Sequence, residues 1–295
     1  MSSERVSPDE PPYGALAPHR LDSAILGITA SLPDNWLGLR LAIGLRRITT
    51  MRLRADDGLD VERFGLKVRL HPRSNGCEKG LLFTPQMYEV PERAALAAEI
   101  ERAQAAGRPF VFVDIGANVG LFSMFVASRV GRGGLILAIE PEPENLRRLR
   151  FNIAANPGVP IRAIATALGA RAGTVALAIN SHDRGGTRTR FIAADQHPPD
   201  CNKDASGQSL AACRTLLAVL AEEAIAAVDA LKIDVEGAEN SILSPFFRDA
   251  PQALWPKLII MEGVGDLRRV APYSTMVTLG YSEIARTNDN VIMRR

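Results

Sequence analysis

The segment Asp114–Ile115–Gly116–Ala117–Asn118–Val119–Gly120 is where residue types and spacing first point to chemistry. Gly116 and Gly120 let the backbone bend sharply and come close to a ligand. The amides that open the following helix attract a negative group. A glycine-rich turn from strand to helix is shared by several nucleotide-binding folds, so Asp114 is the discriminating residue. A carboxylate at the strand end opposes a pyrophosphate and favours a ligand that carries positive charge. Two unlike charges about 4 Å apart gain on the order of 1 kcal/mol in water, and several times that in a partly dry cleft. S-adenosylmethionine has the matching pattern: a sulfonium and an ammonium, with a carboxylate for the helix amides. No G-x-x-x-x-G-K-[ST] loop for a nucleoside triphosphate occurs. The plainer reading is a structural turn capped by Asp114.

Glu140 follows Asp114 by 26 positions (140 − 114) and ends the next apolar run. In doubly wound folds an acid there accepts hydrogen bonds from a ribose diol, and Pro141 is expected to start the next helix. A third block is Lys232–Ile233–Asp234–Val235–Glu236–Gly237–Ala238–Glu239. Residues two apart in a strand share a face, so Lys232 and Asp234 project together. If this strand lies beside the first across the topological switch, Asp234 faces the crevice where ligands bind, with Lys232 as its buried partner. The plainer alternative is a strand-end ion pair, with Glu236 and Glu239 at a helix N-terminus.

With Ala167–Leu168–Gly169, these blocks resemble the FkbM family of methyltransferases over roughly residues 110–293. The resemblance implies a Rossmann-like class I methyltransferase fold: a doubly wound α/β seven-stranded sheet with its last strand antiparallel. It implies S-adenosyl-L-methionine as cofactor and O-methylation of varied hydroxyl-bearing acceptors. Asn118 stands where class I proteins commonly have a third glycine, a departure this family shares. The expected cofactor-binding residues are Asp114, Gly116, Ala117, Asn118, Gly120, Glu140, Pro141, Ala167 and Leu168.

The expected reaction is an in-line displacement in which the acceptor oxygen attacks the sulfonium methyl. Alignment supplies much of the rate, and a neutral hydroxyl gains from a proton acceptor. Asp234 is the first candidate for that role and His182 the second. Glu262 is placed at the pocket, and Tyr88 and Glu89 over the cofactor from the N-terminal side. A nicotinamide-dependent oxidoreductase and a non-catalytic S-adenosylmethionine-binding protein remain the alternatives. The acceptor is expected to be a small molecule or glycan, a lipid-linked sugar or a secondary metabolite among them, and the sequence does not choose between these.

Elements must position these residues. Phe110 to Val113 reads as a strand buried on both faces, followed by a helix from Leu121 to Val130. Further strands are expected at Leu135 to Ile139, Ile161 to Ala167, Asp229 to Asp234 and Lys257 to Met261, with Thr174 to Ile179 as an antiparallel extension. Helices are expected at Glu142 to Asn156, Leu210 to Ala224, Gly237 to Phe247 and Pro272 to Leu279, and a hairpin joins Tyr281–Ile284 to Val291–Met293. Residues 180–209 read as a long loop. Upstream, Trp36 to Arg47 and Pro91 to Ala106 read as helices, and Leu66 to Leu70 and Leu81 to Phe83 as short strands. The organisation expected is a disordered arm over 1–20, an N-terminal extension over 21–107 and a methyltransferase domain over 108–295.

Composition sets the outer limits. Of 295 residues 46% are apolar, enough for a sizeable core, and 35 basic side chains nearly cancel 33 acidic ones. That balance argues against a nucleic-acid partner; the runs Arg46–Arg54 and Arg147–Arg150 read as solvated helix faces. Cys77, Cys201 and Cys213 are too scattered for a disulfide framework and fit a reducing compartment. His197 and Cys201 lack the paired spacing of a zinc site, so no metal is expected. No apolar run reaches the ~20 residues that span a bilayer, and the protein is expected to be soluble and cytoplasmic. Leu32 to Ile48 mixes Trp36, Leu37, Leu39, Leu41, Ile43 and Leu45 with arginines. That pattern suits a membrane surface, but a helix packed on the body of the domain is the expected outcome.

Overall fold

The computed structural model describes residues 10–54, 57–179, 188–191, 209–263 and 272–295. The chain opens with a helical hairpin, α1 (Arg20–Ser31) and α2 (Trp36–Arg52), the latter capped by Asn35, whose side chain accepts from the Gly38 amide. An antiparallel hairpin of β1 (Leu59–Arg63) and β2 (Leu66–Leu70) follows. Then come α3 (Gly76–Phe83) and α4 (Val90–Ala105). The strand expected at Leu81–Phe83 is instead the last turn of α3. Asn75 accepts hydrogen bonds from the Cys77 and Glu78 amides, which nucleates a helix, and the three apolar residues are its buried end.

From there strands and helices alternate: β3 (Val111–Ile115), α5 (Leu121–Val130), β4 (Leu135–Ile139), α6 (Pro143–Ala154) and β5 (Ile161–Ile164). A second set of strands, β6 (Ala167–Leu168), β7 (Gly173–Ala178), β8 (Arg188–Phe191) and β9 (Ser209–Arg214), forms its own small sheet in the order β6-β9-β7-β8. The chain then runs through α7 (Leu216–Glu222), β10 (Ala230–Ile233), α8 (Glu239–Asp249), β11 (Leu258–Glu262) and α9 (Tyr273–Thr278). It closes with the hairpin β12 (Ser282–Arg286) and β13 (Asn290–Arg294).

The main sheet has seven strands in the order β12-β13-β11-β10-β3-β4-β5. Strands β11, β10, β3, β4 and β5 are parallel to one another, and β13, the last, runs antiparallel between β11 and β12. The expected seven-stranded doubly wound sheet is therefore present, with β3 at the switch point between β4 and β10. Alternation along the strands divides the core. Phe112, Ile136, Ala138, Ala230 and Ile260 pack on one face against α4, α5, α6 and the N-terminal elements. Val113, Leu137, Leu231, Ile233 and Ile259 pack on the other against α7 and α8. Burial on both faces is why these strands read as continuous apolar runs.

Several boundaries differ from the sequence reading. The single strand expected over Ile161–Ala167 is two, β5 in the main sheet and β6 in the small one. The helix expected from Leu210 starts only after Thr215, its N-cap, because Ser209–Arg214 pairs with β7 as β9. The expected loop 180–209 contains β8, which pairs with β7. Pro143, not Pro141, occupies the first turn of α6, whose N-cap is Glu142. In the run Arg147–Arg150, Arg148 is buried, donating to Glu144, Glu78 and Ser74. One face of α6 packs on the N-terminal segment, so only part of that run is a solvated face. Residues 11–16, assigned above to a loose arm, lie against β1 and β2. Arg69 donates to the Pro11 and Pro12 carbonyls, and Asp60 accepts from the Gly14 and Leu16 amides.

Candidate active site at the carboxyl ends of the parallel strands

The turn after β3 is held from below. Asp114 is 1% exposed, and its Oδ2 accepts from the Ser123 amide (3.1 Å) and hydroxyl (2.6 Å). It thus ties the strand end to the first turn of α5, beneath the bend. Its register partner in β10 is Lys232, so both side chains rise from one face of the sheet. Burial raises the Asp114 pKa, and Lys232 and Ser123 oppose that shift.

Three residues of the turn have left-handed backbone: Gly116 (φ 72), Asn118 (φ 54) and Gly120 (φ 87). A Cβ at Gly116 would lie 1.9 Å from the Asp234 carbonyl oxygen, so only glycine lets the two strand ends approach. Asn118 tolerates the conformation because its short polar side chain bonds locally; its Oδ1 accepts from Asn75 Nδ2 at 2.7 Å. The Gly116 and Ala117 amides both donate to the Ile139 carbonyl at 3.0 Å, which stitches the turn to β4.

Glu140, at the end of β4, accepts from the Asn118 amide through Oε2 (2.8 Å) and from the Glu142 amide through Oε1 (2.9 Å). Burial pushes its pKa up to about 7 against those two bonds. Beside it a small cleft is lined by Gly116, Pro141, Ala167 and Leu168, four of the expected binding residues. Thr166 and Val235 also line it; Val235 belongs to the Lys232–Glu239 block without having been singled out, and Thr166 lies outside every motif, so sequence patterning had no signal for it.

Across the turn, Lys232 Nζ donates to Asp234 Oδ2 at 3.0 Å and lies 5.0 Å from the Phe122 ring centroid. The Lys232 side chain is 6% exposed and that of Asp234 35%, so the pair presents one carboxylate to the crevice over a buried cation. Glu236 (φ 57) and Gly237 turn the chain, and Glu239 accepts from the Val235 and Gly237 amides. Carboxylate oxygens of Asp234, Glu236 and Glu262 lie within 4.8 Å of one another. Burial first, and the charges of Asp234, Glu236 and Glu239 after it, push the Glu262 pKa up to about 7. The sequence reading placed Glu262 at the pocket but did not foresee this three-acid cluster, which depends on β10 and β11 being neighbours.

Tyr88 and Glu89 approach from the N-terminal side. Tyr88 packs beside Phe122, and burial holds its phenol well above the usual range. Glu89 has left-handed backbone (φ 47). Asn290 Nδ2 donates both to it (3.1 Å) and to Glu92 (3.0 Å). Burial and the Glu92 charge push Glu89 up to about 7, and Lys232 opposes them. His182, His197 and Cys201 lie outside the described residues.

The strand order, the glycine turn and the acids at three successive strand ends define a Rossmann-like class I methyltransferase. Residues 114–263, 150 of the 295 (263 − 114 + 1), match the family model described as the methyltransferase FkbM domain. The chain belongs to that family, and its methyl donor is S-adenosylmethionine. No curated protein matches the chain. Among solved structures it is similar to the METTL16 MTase domain (14% identity, 92% of this chain and 89% of that one, TM-score 0.48). It is also similar to a human methyltransferase 10 domain containing protein (14% identity, 86% and 96%, TM-score 0.43). A third is precorrin-6y C5,15-methyltransferase from Geobacter metallireducens GS-15 (13% identity, 74% and 92%, TM-score 0.40).

Proposed function

We propose that this methyltransferase acts on oxygen, carrying the methyl group in line to a hydroxyl of a glycan, a lipid-linked sugar or a secondary metabolite. The observation that carries the reading is the Asp234 carboxylate: part-exposed, steadied by Lys232 at 3.0 Å, and carried by a residue whose backbone carbonyl abuts Gly116. A hydroxyl must lose its proton as the new bond forms, and an acceptor within hydrogen-bond reach speeds that loss by roughly 10² to 10⁴. Asp234 is the group we assign to it. Glu262, with its pKa near neutrality, is the next proton acceptor along the same wall.

The residues fit the donor. When bound, S-adenosylmethionine supplies an electrophilic methyl on a sulfonium cation, and the strand ends carry the acids Glu140, Asp234 and Glu262, with Asp114 buried beneath them. Glu140 uses each oxygen once for a backbone amide, which leaves each a further lone pair for a ribose hydroxyl. Pro141, Ala167 and Leu168 offer the apolar cleft to the base. Asp114, lying beneath the turn, acts through its field and through the α5 turn it anchors. Membership of a methyltransferase family sets aside the nicotinamide-dependent reading. The near balance of 35 basic and 33 acidic residues favours a small acceptor over a nucleic acid.

The test is incubation with methyl-labelled S-adenosylmethionine and fractionated cell extract, followed by mass spectrometry of the labelled product. A methyl ether on a small molecule or glycan supports the reading, and a methyl ester, formed on a carboxylate, overturns the hydroxyl acceptor. A methyl group on nitrogen or on RNA overturns the acceptor assignment. Tight donor binding with no product in any fraction points to the non-catalytic alternative.

A further inference from the structure

The helical hairpin at the N-terminus is built the wrong way round for a helix that merely covers a core. Its second helix, α2, turns Gly38, Ala42 and Thr49 inward, all small. Six of its eight large apolar residues point outward: Trp36 is 69% exposed and Met51 82%, and Leu37, Leu39, Leu41 and Ile48 are exposed as well, while Ile43 and Leu45 are half-buried. With Leu21 and Ile28 of α1, this hairpin holds eight of the eleven exposed large hydrophobic side chains among the described residues. The stretch does pack on the domain as expected, through Gly38, Ala42, Thr49 and the half-buried Leu45, but most of its large apolar side chains are left outside.

The outward face has an ordered pattern. At about 100° per residue, Leu37, Leu41 and Ile48 (i, i+4, i+11) form one stripe, and Trp36, Arg40 and Arg47 the stripe beside it. The Arg40 guanidinium lies 5.9 Å from the Trp36 ring centroid. From Arg20 to Arg54 there are six arginines and two acids, Asp22 and Asp34. Asp22 is buried and paired with Arg52. The exposed face is apolar and cationic at once.

We propose that α1 and α2 seat the protein on the surface of an anionic lipid bilayer. Neither helix is long and apolar enough to cross a membrane, but helices with outward apolar stripes and flanking arginines lie in the headgroup region. There the arginine stems stay in the apolar layer while the guanidinium groups reach the phosphates, and a tryptophan ring prefers the same depth. Charge complementarity selects this occupant over a second copy of the chain. A twofold contact through this face would oppose Arg40 and Arg47 to their own equivalents, whereas anionic headgroups neutralise them. The hairpin also borders the site: Gln86 Nε2 donates to the Thr29 and Leu32 carbonyls at the end of α1, two residues before Tyr88. The proposal goes beyond the methyl-transfer reading and does not rest on the identity of the acceptor.

The experiment is co-sedimentation of the full chain with vesicles of phosphatidylcholine alone or with about a third phosphatidylglycerol, across a salt series. It is paired with tryptophan emission in a Trp255→Phe background, where Trp36 is the only tryptophan. Binding should require the anionic lipid and weaken with salt, and Trp36 emission should shift to the blue on binding. Arg40→Glu with Arg47→Glu should lower the vesicle-bound fraction by about tenfold or more, and Leu37→Asp with Leu41→Asp by a similar factor. These positions are exposed, so circular dichroism melting should match the parent. Failure of the parent to bind anionic vesicles, or equal binding to both compositions, overturns the proposal. So does a dimer in solution that Leu41→Asp dissociates while vesicle binding is absent, because the face would then belong to a second copy.

Discussion

Asn75 and Asn118, 43 positions apart, are joined by a 2.7 Å hydrogen bond from Nδ2 of the first to Oδ1 of the second. Asn75 also caps α3, accepting from the Cys77 and Glu78 amides. One side chain therefore starts a helix of the N-terminal segment and steadies the left-handed residue of the glycine turn. Asn152, on α6, works beside it, donating to the Val119 carbonyl and accepting from the Arg69 amide. The glycine turn is braced from outside the family-matched region as well as from within it.

This bracing separates two effects in substitution. Asn75→Ala should lower stability by about 1 kcal/mol through loss of the cap and weaken S-adenosylmethionine binding. Asn75→Ser keeps a capping oxygen but does not reach Asn118, so it should restore most of the stability and little of the affinity. Urea denaturation and isothermal titration on both variants check this. Equal recovery of both properties by serine would show that the Asn118 contact has no part in binding.

Carboxylates at the strand ends should divide by role. Asp114→Ala and Glu140→Ala should each raise the dissociation constant of S-adenosylmethionine about tenfold or more. Asp234→Asn should leave it within about twofold and lower turnover by about 10²-fold. Titration and single-turnover transfer separate the two. Unchanged affinity in both of the first variants would mean that the cofactor site is misassigned.

Close approach of the two central strand ends makes Gly116 sensitive. Alanine there meets the Asp234 carbonyl at 1.9 Å in a left-handed conformation, and we expect a loss of about 2 kcal/mol or more. By contrast, Asn118→Gly relieves rather than creates backbone strain. Its denaturation midpoint should move far less than that of Gly116→Ala. A Gly116→Ala protein as stable as the parent would mean that the two strand ends do not abut in this way.

Glu140 should couple binding to pH. Its carboxyl is pushed up to about 7 by burial, and ribose hydroxyls donating to it would stabilise the ionised form. Binding then releases a proton, so affinity rises with pH up to and through about 7 and levels off above. Folding runs the other way: the raised pKa stabilises the fold at low pH. That contribution is lost as pH climbs from the ordinary carboxylate range to about 7. Titrations in two buffers of different ionisation enthalpy read the proton release, and Glu140→Gln should abolish it. Affinity that is flat between pH 6 and 8 would rule out the contact.

The pattern of a methyl-donor site was local and therefore legible from residue order. A short apolar run, a glycine bend, and acids at 114, 140 and 234 each report on a few consecutive residues, and the alternation of expected strands and helices implied a doubly wound sheet. Tertiary structure decided what those residues touch. Asp114 reaches Ser123 and stands level with Lys232 because β3 and β10 pair in parallel. Asp234, Glu236 and Glu262 converge because β10 and β11 are neighbours. Where local preference and pairing conflicted, pairing won: Ser209–Arg214 has an alanine-rich helical composition but forms β9 because β7 offers it a hydrogen-bonded edge. The same holds for α2, whose sequence showed an amphipathic helix. Which side faces the protein was decided by packing, which buries Gly38, Ala42 and Thr49 with Leu45 half-buried beside them and leaves most of the large apolar residues outside.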